Sequence, residues 1–194
     1  MISTIIFDWG GVLALADNKL AAKKLAKKYH LEETELVKGL ANFERQFEAS
    51  KNYAGYFQRV EETYGIPRNE IESTLNAAHA THMLEVARKL KQTGWPLYLL
   101  SDQMHFRTLY IKQHNDLSFF DSLFFSSEIG FVKPERDAYL YVLKKIKRKP
   151  EQCLFIDNNP DNIKAAEKLG INVILFKSEA QFKCELKKFG ARIR

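Results

Sequence analysis

Four polar side chains occur at points of the sequence where phosphate or metal chemistry is often placed. Asp8, Ser101 and Asp157 each directly follow an apolar run, and Lys133 comes just before a proline that can open a helix. Two carboxylates suit a hard cation such as Mg²⁺, which takes few protein oxygens and keeps several waters. A serine hydroxyl and a lysine ammonium can hold phosphate oxygens. Singly, each residue is also explained as a cap, a turn or a surface position, but their order favours one shared site.

The first of these residues belongs to the stretch around which the chain is organised. The β-branched run before Asp8 predicts a buried central strand. Gly10 and Gly11 follow, and glycines let the backbone turn sharply and approach a ligand closely. Asp8 is therefore expected at the carboxyl end of a strand, where open α/β sheets bind their ligands.

From residue 95 onward the pattern alternates between strands and helices. The predicted strands cover 96–100, 123–125, 153–156 and 173–176, and the predicted helices cover 106–114, 160–169, 178–189 and a segment that ends at 146. This alternation predicts an α/β fold with a doubly wound parallel sheet. Because parallel strands end at one edge of a sheet, the polar residues that follow them are expected to converge in one crevice.

Between the first strand and this region the sequence is helical, and no segment of it clearly predicts a strand. Asp17 or Asn18 is suited to cap the first helix. Further helices are predicted over 32–48, 53–64, 68–78 and 81–92. The expected organisation is an α/β core made of residues 1–14 and 93–194, with residues 15–92 inserted as a helical cap.

These motifs resemble, in order and over essentially the whole chain, the four motifs of the haloacid dehalogenase-like (HAD) hydrolases. The matching residues are Asp8, Ser101, Lys133 and Asp157 with Asp161. The insertion resembles the helical cap of subfamily I, and the core that the family implies is Rossmann-like. The Asp-x-Gly-Gly-Val form of the first motif, with Phe43-Glu44 in the cap, is most similar to the branch that contains glucose-1-phosphate phosphatases.

The resemblance implies a Mg²⁺-dependent phosphatase for a small phosphorylated metabolite, with a sugar phosphate as the expected substrate. Asp8 would attack phosphorus and form an aspartyl-phosphate that water then hydrolyses. The implied catalytic residues are Asp8, Ser101 and Lys133. The implied substrate contacts come from Ser101, Asp102, Lys133 and Gly11, and the implied metal ligands are Asp8, Asp157 and the backbone carbonyl of Gly10. In the cap, Arg45, Lys51, Tyr53 and Arg59 are candidates to face the crevice.

Gly10 is the main departure from the family pattern. Most phosphatases of the family carry there a second aspartate that acts as general acid and base, and losing such a group typically costs ~10²–10⁴ in rate. Three explanations stay open: a leaving group that needs little protonation, a proton from another residue or the substrate, or binding without turnover. Asp17 is the nearest acid in sequence, although capping the first helix of the insertion is the role expected for it. Asp161 is either a metal ligand or an acid that stabilises a helix N-terminus.

Two other functions remain as alternatives. One is a binding or regulatory protein on a catalytically weak hydrolase scaffold, because Gly10 cannot donate a proton. The other is a 2-haloacid dehalogenase, since those enzymes also lack the second aspartate. Against the latter, Trp9-Gly10-Gly11 does not resemble their first motif, and Asp102 replaces their expected asparagine.

Composition limits the remaining functional classes. The net charge is +6, and its densest basic run, residues 144–149, ends a predicted helix without any recognisable nucleic-acid-binding motif. No run approaches the ~20 apolar residues of a membrane span, and the N-terminus lacks signal-peptide features. Cys153 and Cys184 form no disulfide framework. A cytoplasmic monomer or homodimer is expected, with no nucleic-acid or membrane partner.

Overall fold

The computed structural model describes residues 2–16, 18–77 and 79–191. Its strands are β1 Thr4–Phe7, β2 Ala14–Ala16, β3 His79–Thr81, β4 Leu97–Ser101, β5 Ser122–Phe125, β6 Cys153–Asp157 and β7 Asn172–Leu175. Five of them form one sheet in the order β5-β4-β1-β6-β7, and every neighbouring pair is parallel. The chain builds outward from β1 first on one side and then on the other. The predicted doubly wound parallel sheet is confirmed.

Ten α-helices accompany these strands in the described part of the chain. They are α1 Asn18–Tyr29, α2 Glu33–Phe47, α3 Ala54–Tyr64, α4 Arg68–Ala77, α5 Leu84–Gln92, α6 His105–His114, α7 Ser126–Ile129, α8 Arg136–Ile146, α9 Pro160–Lys168 and α10 Glu179–Leu186. Short 3₁₀ turns occur at Pro150–Gln152 and Lys187–Phe189.

The side chains of β1 alternate between the two faces of the sheet. Ile5 and Phe7 pack in one apolar cluster, to which α5 and α10 contribute. Ile6 packs in the cluster on the other face, to which α8 and α9 contribute. Because both faces are covered, β1 is an uninterrupted apolar strand, as expected for a buried parallel sheet. Trp9 is fully buried in the first cluster, so it belongs to the core and not to a pocket wall.

Helices α1 to α4 pack around a separate apolar cluster and form the helical cap. The cap is joined to the rest of the chain through a two-stranded antiparallel ribbon of β2 and β3, with Leu15 opposite Ala80. The sequence predicted no strand here, and that prediction was wrong at β2 and β3. Three-residue strands are too short to show an alternation of apolar and polar residues, so no periodic signal marks them.

Helix α5 buries Val86, Ala87 and Leu90 in the cluster that contains Ile5 and Phe7 of the sheet. This packing supports placing α5 with the core, and we propose that the cap ends at the ribbon. Two residues of the core, Met104 and Phe106, lie in the cap cluster. Among the described residues, no helix has the length and apolar character needed to cross a membrane.

Candidate active site

Three of the four predicted site residues lie at the carboxyl edge of the sheet because their strands are neighbours. Strand β1 lies between β4 and β6, so Asp8 lies between the ends that carry Ser101 and Asp157. The order of strands reverses at β1, and open α/β sheets bind ligands at such a point. The backbone amide of Asp8 donates to the Ile156 carbonyl at 2.9 Å, which fixes the end of β1 against β6.

Lys133 reaches this edge from the loop between α7 and α8. Its Nζ lies 2.7 Å from Asp8 Oδ1 and 2.8 Å from Asp157 Oδ2. Its backbone amide donates to Asp102 Oδ1 at 3.1 Å, so the loop is tied to the residue that follows Ser101. The ammonium group is buried, with 1% of the side chain exposed. Two carboxylates and one ammonium therefore form a desolvated cluster.

Burial and charge act in opposite directions on these groups. Burial raises the pKa of Asp8 from its usual value to about 7, while the Lys133 ammonium opposes that rise. Burial alone would lower the pKa of Lys133, but the carboxylates of Asp8 and Asp157 raise it above its usual value. Burial also raises the pKa of Asp102, again against the effect of Lys133. Lys133 is thus a permanent cation that balances the clustered acids.

Asp157 is oriented by donors that come from the start of α9. The amide of Asn159 donates to its Oδ1 at 2.7 Å, and Asn162 Nδ2 donates to its Oδ2 at 2.9 Å. The Tyr139 hydroxyl donates to the Asn162 carbonyl at 2.9 Å and holds that turn in place. Sequence reasoning missed Asn162. The sequence feature that could have identified Asn162 is its position in the first turn of a helix that closely follows Asp157.

Asp161 borders neither of the two cavities at this edge of the sheet. Its side chain is 71% exposed, and its carboxylate lies 3.6 Å from Lys164 Nζ. The described structure therefore places the Asp161 carboxylate at the helix surface, beside Lys164.

The turn after β1 places two glycines beside these acids. Gly11 has a φ of +77°, and its amide donates to the Ala14 carbonyl at 2.7 Å. A Cβ on Gly11 would meet the Asn158 side chain, whereas a Cβ on Gly10 would meet no heavy atom within 4 Å. The Ser101 hydroxyl is buried and accepts a hydrogen bond from Gln103 Nε2 at 3.3 Å.

Two adjoining cavities open at this edge, and they share Gly10, Asp102, Gln103 and Asn158. One, of about 250 Å³, is bordered by Asp8, Lys133 and Asp157. The other, of about 280 Å³, extends under the cap. Its polar walls are formed by Asn18, Glu44, Glu48, Asp102, Gln103 and Arg107, and Met104 is its main apolar contact. The cavity under the cap is therefore mostly polar.

The cap residues that border the second cavity differ from the predicted ones. Arg45, Lys51, Tyr53 and Arg59 are absent from the walls of both cavities. Tyr53 packs against Phe57, and Arg59 donates to Gln46. Asp17, the other predicted acid near the site, lies outside the described residues. Which face of a cap helix meets the core depends on packing between the two units, and helical periodicity does not specify it.

The donor set fits a hard divalent cation. No group of three or more His, Cys, Asp or Glu side chains gathers as a metal site within the described chain. Asp8 and Asp157 nevertheless place carboxylates on the 250 Å³ cavity, beside the backbone of Gly10. An oxygen set of two carboxylates and one carbonyl, completed by water, is the way Mg²⁺ usually binds.

Comparison with known proteins gives one family. A family model described as haloacid dehalogenase-like hydrolase matches residues 2–170. A structure of a HAD family enzyme from Bacteroides thetaiotaomicron, in complex with magnesium and inorganic phosphate, superposes with a TM-score of 0.76 at 22% identity. The match covers 92% of this chain and 96% of that one. At this identity the likeness establishes the fold.

Two curated relatives are more similar in sequence. A sesquiterpene phosphatase of Aspergillus oryzae is 27% identical over 178 residues, which cover 86% of this chain and 85% of the relative. Bifunctional epoxide hydrolase 2 of Rattus norvegicus is 32% identical over 127 residues, or 62% of this chain. The match spans only 23% of the rat protein.

Proposed function

Because the chain belongs to the haloacid dehalogenase-like hydrolase family, we propose that it is a Mg²⁺-dependent phosphatase acting on a small phosphorylated metabolite. The observation that carries this proposal is the Lys133 ammonium, held 2.7 Å from Asp8 and 2.8 Å from Asp157 beside a polar cavity. A nucleophilic carboxylate, a buried cation and a second carboxylate are the parts that phosphoryl transfer to an aspartate needs.

Asp8 is the nucleophile in this proposal. Its carboxylate attacks phosphorus and displaces the leaving oxygen, and water then hydrolyses the aspartyl-phosphate. Lys133 and the Ser101 hydroxyl bind phosphoryl oxygens. Asp102 borders both cavities, and Gly11 borders the adjoining cavity of about 280 Å³. Asp8, Asp157 and the Gly10 carbonyl would hold Mg²⁺, which supplies positive charge to the phosphoryl group. Asn162 keeps the Asp157 carboxylate oriented toward the cavity.

The substrate class follows from the walls of the 280 Å³ cavity. Charged and amide side chains border it, and Met104 is its main apolar contact. Such a cavity can hydrogen-bond hydroxyl groups, so a sugar phosphate fits it better than the terpenoid that the name of the Aspergillus oryzae relative indicates. Membership of the glucose-1-phosphate phosphatase branch stays a prediction, and the polar walls of this cavity favour it.

Phosphate release tests the proposal. The protein would be assayed with sugar phosphates, acyl phosphates and para-nitrophenyl phosphate, each with Mg²⁺ and with a chelator. Mg²⁺-dependent release is expected, and Asp8→Asn should abolish it. Asp137→Asn is the matched control, because Asp137 is exposed on α8 away from both cavities.

Three results would contradict the proposal. No release from any substrate, with phosphate still bound, would favour the binding protein. Release of chloride from 2-haloacids without metal would favour the dehalogenase. Retention of full activity in Asp8→Asn would exclude Asp8 as the nucleophile.

A further inference from the structure

The space beside Gly10 is open, and Gly10 has no side chain that could donate a proton. Gly10 borders both cavities, its φ lies outside the left-handed region, and a Cβ there would meet no heavy atom within 4 Å. The space is therefore part of the cavity and is not filled by packing. A leaving oxygen that needs a proton, on a phosphate at Asp8, would take it from another group that borders this space.

Glu48 borders the same cavity from the side of the cap. It follows the last residue of α2, and the cavity that it lines also contains Gly10 and Asp102. Its carbonyl accepts a hydrogen bond from Ser126 Oγ at 2.5 Å, and the same oxygen of Ser126 accepts from the Gln103 amide at 2.9 Å. One buried hydroxyl thus joins Glu48 to the loop that follows Ser101. The cap residue is held at the site by the core.

The environment of Glu48 favours its protonated form. Burial raises the pKa of Glu48 to about 7, and the carboxylates of Asp102 and Glu44 add to this rise, while Arg45 and Lys133 oppose it. Within the described residues, no side chain donates a hydrogen bond to the Glu48 carboxyl. A carboxyl group of this kind holds its proton at neutral pH in a large fraction of molecules and is free to donate it.

Glu44 borders the same cavity but is engaged differently. It is half-buried beside Arg107; burial raises its pKa, and the Arg107 guanidinium opposes that rise. Asn18 Nδ2 also lies 3.5 Å from its Oε2. Its carboxyl is therefore compensated by a cation and an amide, which leaves Glu48 as the less restrained acid beside position 10.

We propose that Glu48 of the cap is the general acid and base of the reaction, in place of the side chain that Gly10 lacks. This inference rests on the proposed function. In the first step the Asp8 carboxylate forms a bond to phosphorus, the bond from phosphorus to the leaving oxygen breaks, and the Glu48 proton passes to that oxygen. In the second step water gives its proton to the Glu48 carboxylate and bonds to phosphorus, and the Asp8 carboxylate departs with the bonding electrons.

A leaving-group series tests this role. Release of the leaving group in a single turnover, which reports the first step alone, would be measured for Glu48→Gln on an alkyl phosphate, a sugar phosphate and para-nitrophenyl phosphate, whose phenolate needs no proton. The rate for the alkyl and sugar phosphates should fall by ~10²–10⁴, and the rate for para-nitrophenyl phosphate should change by less than about threefold. Glu61→Gln, an exposed position on cap helix α3, is the matched control and should leave all rates unchanged.

Rescue separates proton donation from a structural role. In the double variant Gly10→Asp with Glu48→Gln, the new carboxyl enters open space beside Asp8. We expect at least about tenfold recovery on the alkyl phosphate, as a restored general acid provides. Thermal unfolding of each variant would show that the fold is intact.

Three outcomes would overturn the inference. One is an equal loss on every substrate in Glu48→Gln, a second is no loss on any, and a third is a leaving-group-dependent loss in Asp17→Asn instead. A wild-type protein that releases no phosphate from any substrate would instead contradict the proposed function. The two failures are therefore distinguishable.

Discussion

Gly11 and Asn158 meet where the loop after β1 faces the loop after β6. A Cβ built on Gly11 would lie 2.4 Å from Asn158 Nδ2, and the φ of Gly11 is +77°. Two separate constraints therefore select glycine at position 11. The backbone is left-handed there, and the Asn158 side chain occupies the space that a Cβ would need. The contact brings the loops that carry Asp8 and Asp157 into one fixed arrangement.

Substituting Gly11 should destabilise the protein more than substituting its neighbour. Gly11→Ala places a Cβ at a positive φ and against Asn158, so we expect the free energy of unfolding to fall by ~1–3 kcal/mol. Gly10→Ala enters open space and should be neutral or stabilising by about 0.4–1 kcal/mol. Urea unfolding of both variants measures the difference. Equal stabilities would contradict the packing described for Gly11.

Asn162 should matter for metal binding although it is not a proposed ligand. Asn162→Ala removes the donor to Asp157 Oδ2, so the affinity for Mg²⁺ should fall about 10–100-fold, as is typical when a residue that orients a ligand is lost. Titration calorimetry with Mg²⁺ alone measures this. Asp161→Asn is the control, because the Asp161 side chain is exposed, and it should bind Mg²⁺ as the wild type does. A larger effect in Asp161→Asn would reverse the two assignments.

Strand ends were predictable from the sequence because their residues follow uninterrupted apolar runs, as Asp8 and Asp157 do. The parallel sheet follows from the same pattern. The choice between Asp161 and Asn162 was not predictable, since neighbouring positions of a helix lie about 100° apart and only packing fixes which one faces the sheet. Glu48 was missed for a similar reason: its place on the cavity depends on how α2 packs against the core.

Phe106 should be an anchor between the two units. It is 3% exposed and packs in the cap cluster, with its ring centre 5.0 Å from that of Phe57 and 5.7 Å from that of Tyr53. Phe106→Ala should lower the free energy of unfolding by ~3–5 kcal/mol. Leu109→Ala on the same helix changes a side chain that is 49% exposed and should have an effect within about 0.5 kcal/mol. Similar effects in a urea titration would argue against the anchor.

Glu48 should make the stability of the protein depend on pH. Its pKa in the folded state is raised from 4.5 to about 7, so the folded state keeps a proton that the unfolded state releases. The free energy of unfolding therefore falls as pH rises from about 4.5 through 7, and Asp8 acts in the same direction. Glu48→Gln removes one of these groups. The free energy of unfolding of this variant, relative to that of the wild type, should therefore rise by about 1–3 kcal/mol as the pH increases from 5 to 8.

Unfolding in urea at several pH values, with chelator present, checks this prediction. Glu61→Gln, at an exposed position on α3, should follow the wild-type curve. A Glu48→Gln curve parallel to that of the wild type would mean that Glu48 is ionised in the folded state throughout this range.

The ribbon of β2 and β3 brings the entry and exit of the cap side by side, with Ala14 opposite Thr81 and Ala16 opposite His79. A segment whose two ends are neighbours can be lengthened, shortened or exchanged without moving the strands of the sheet. Evolution can therefore vary the cap as a module while Asp8, Lys133 and Asp157 stay in place. Any replacement cap must still provide an apolar surface that covers Phe106 and Met104. These two core residues therefore limit which caps can pack on the core.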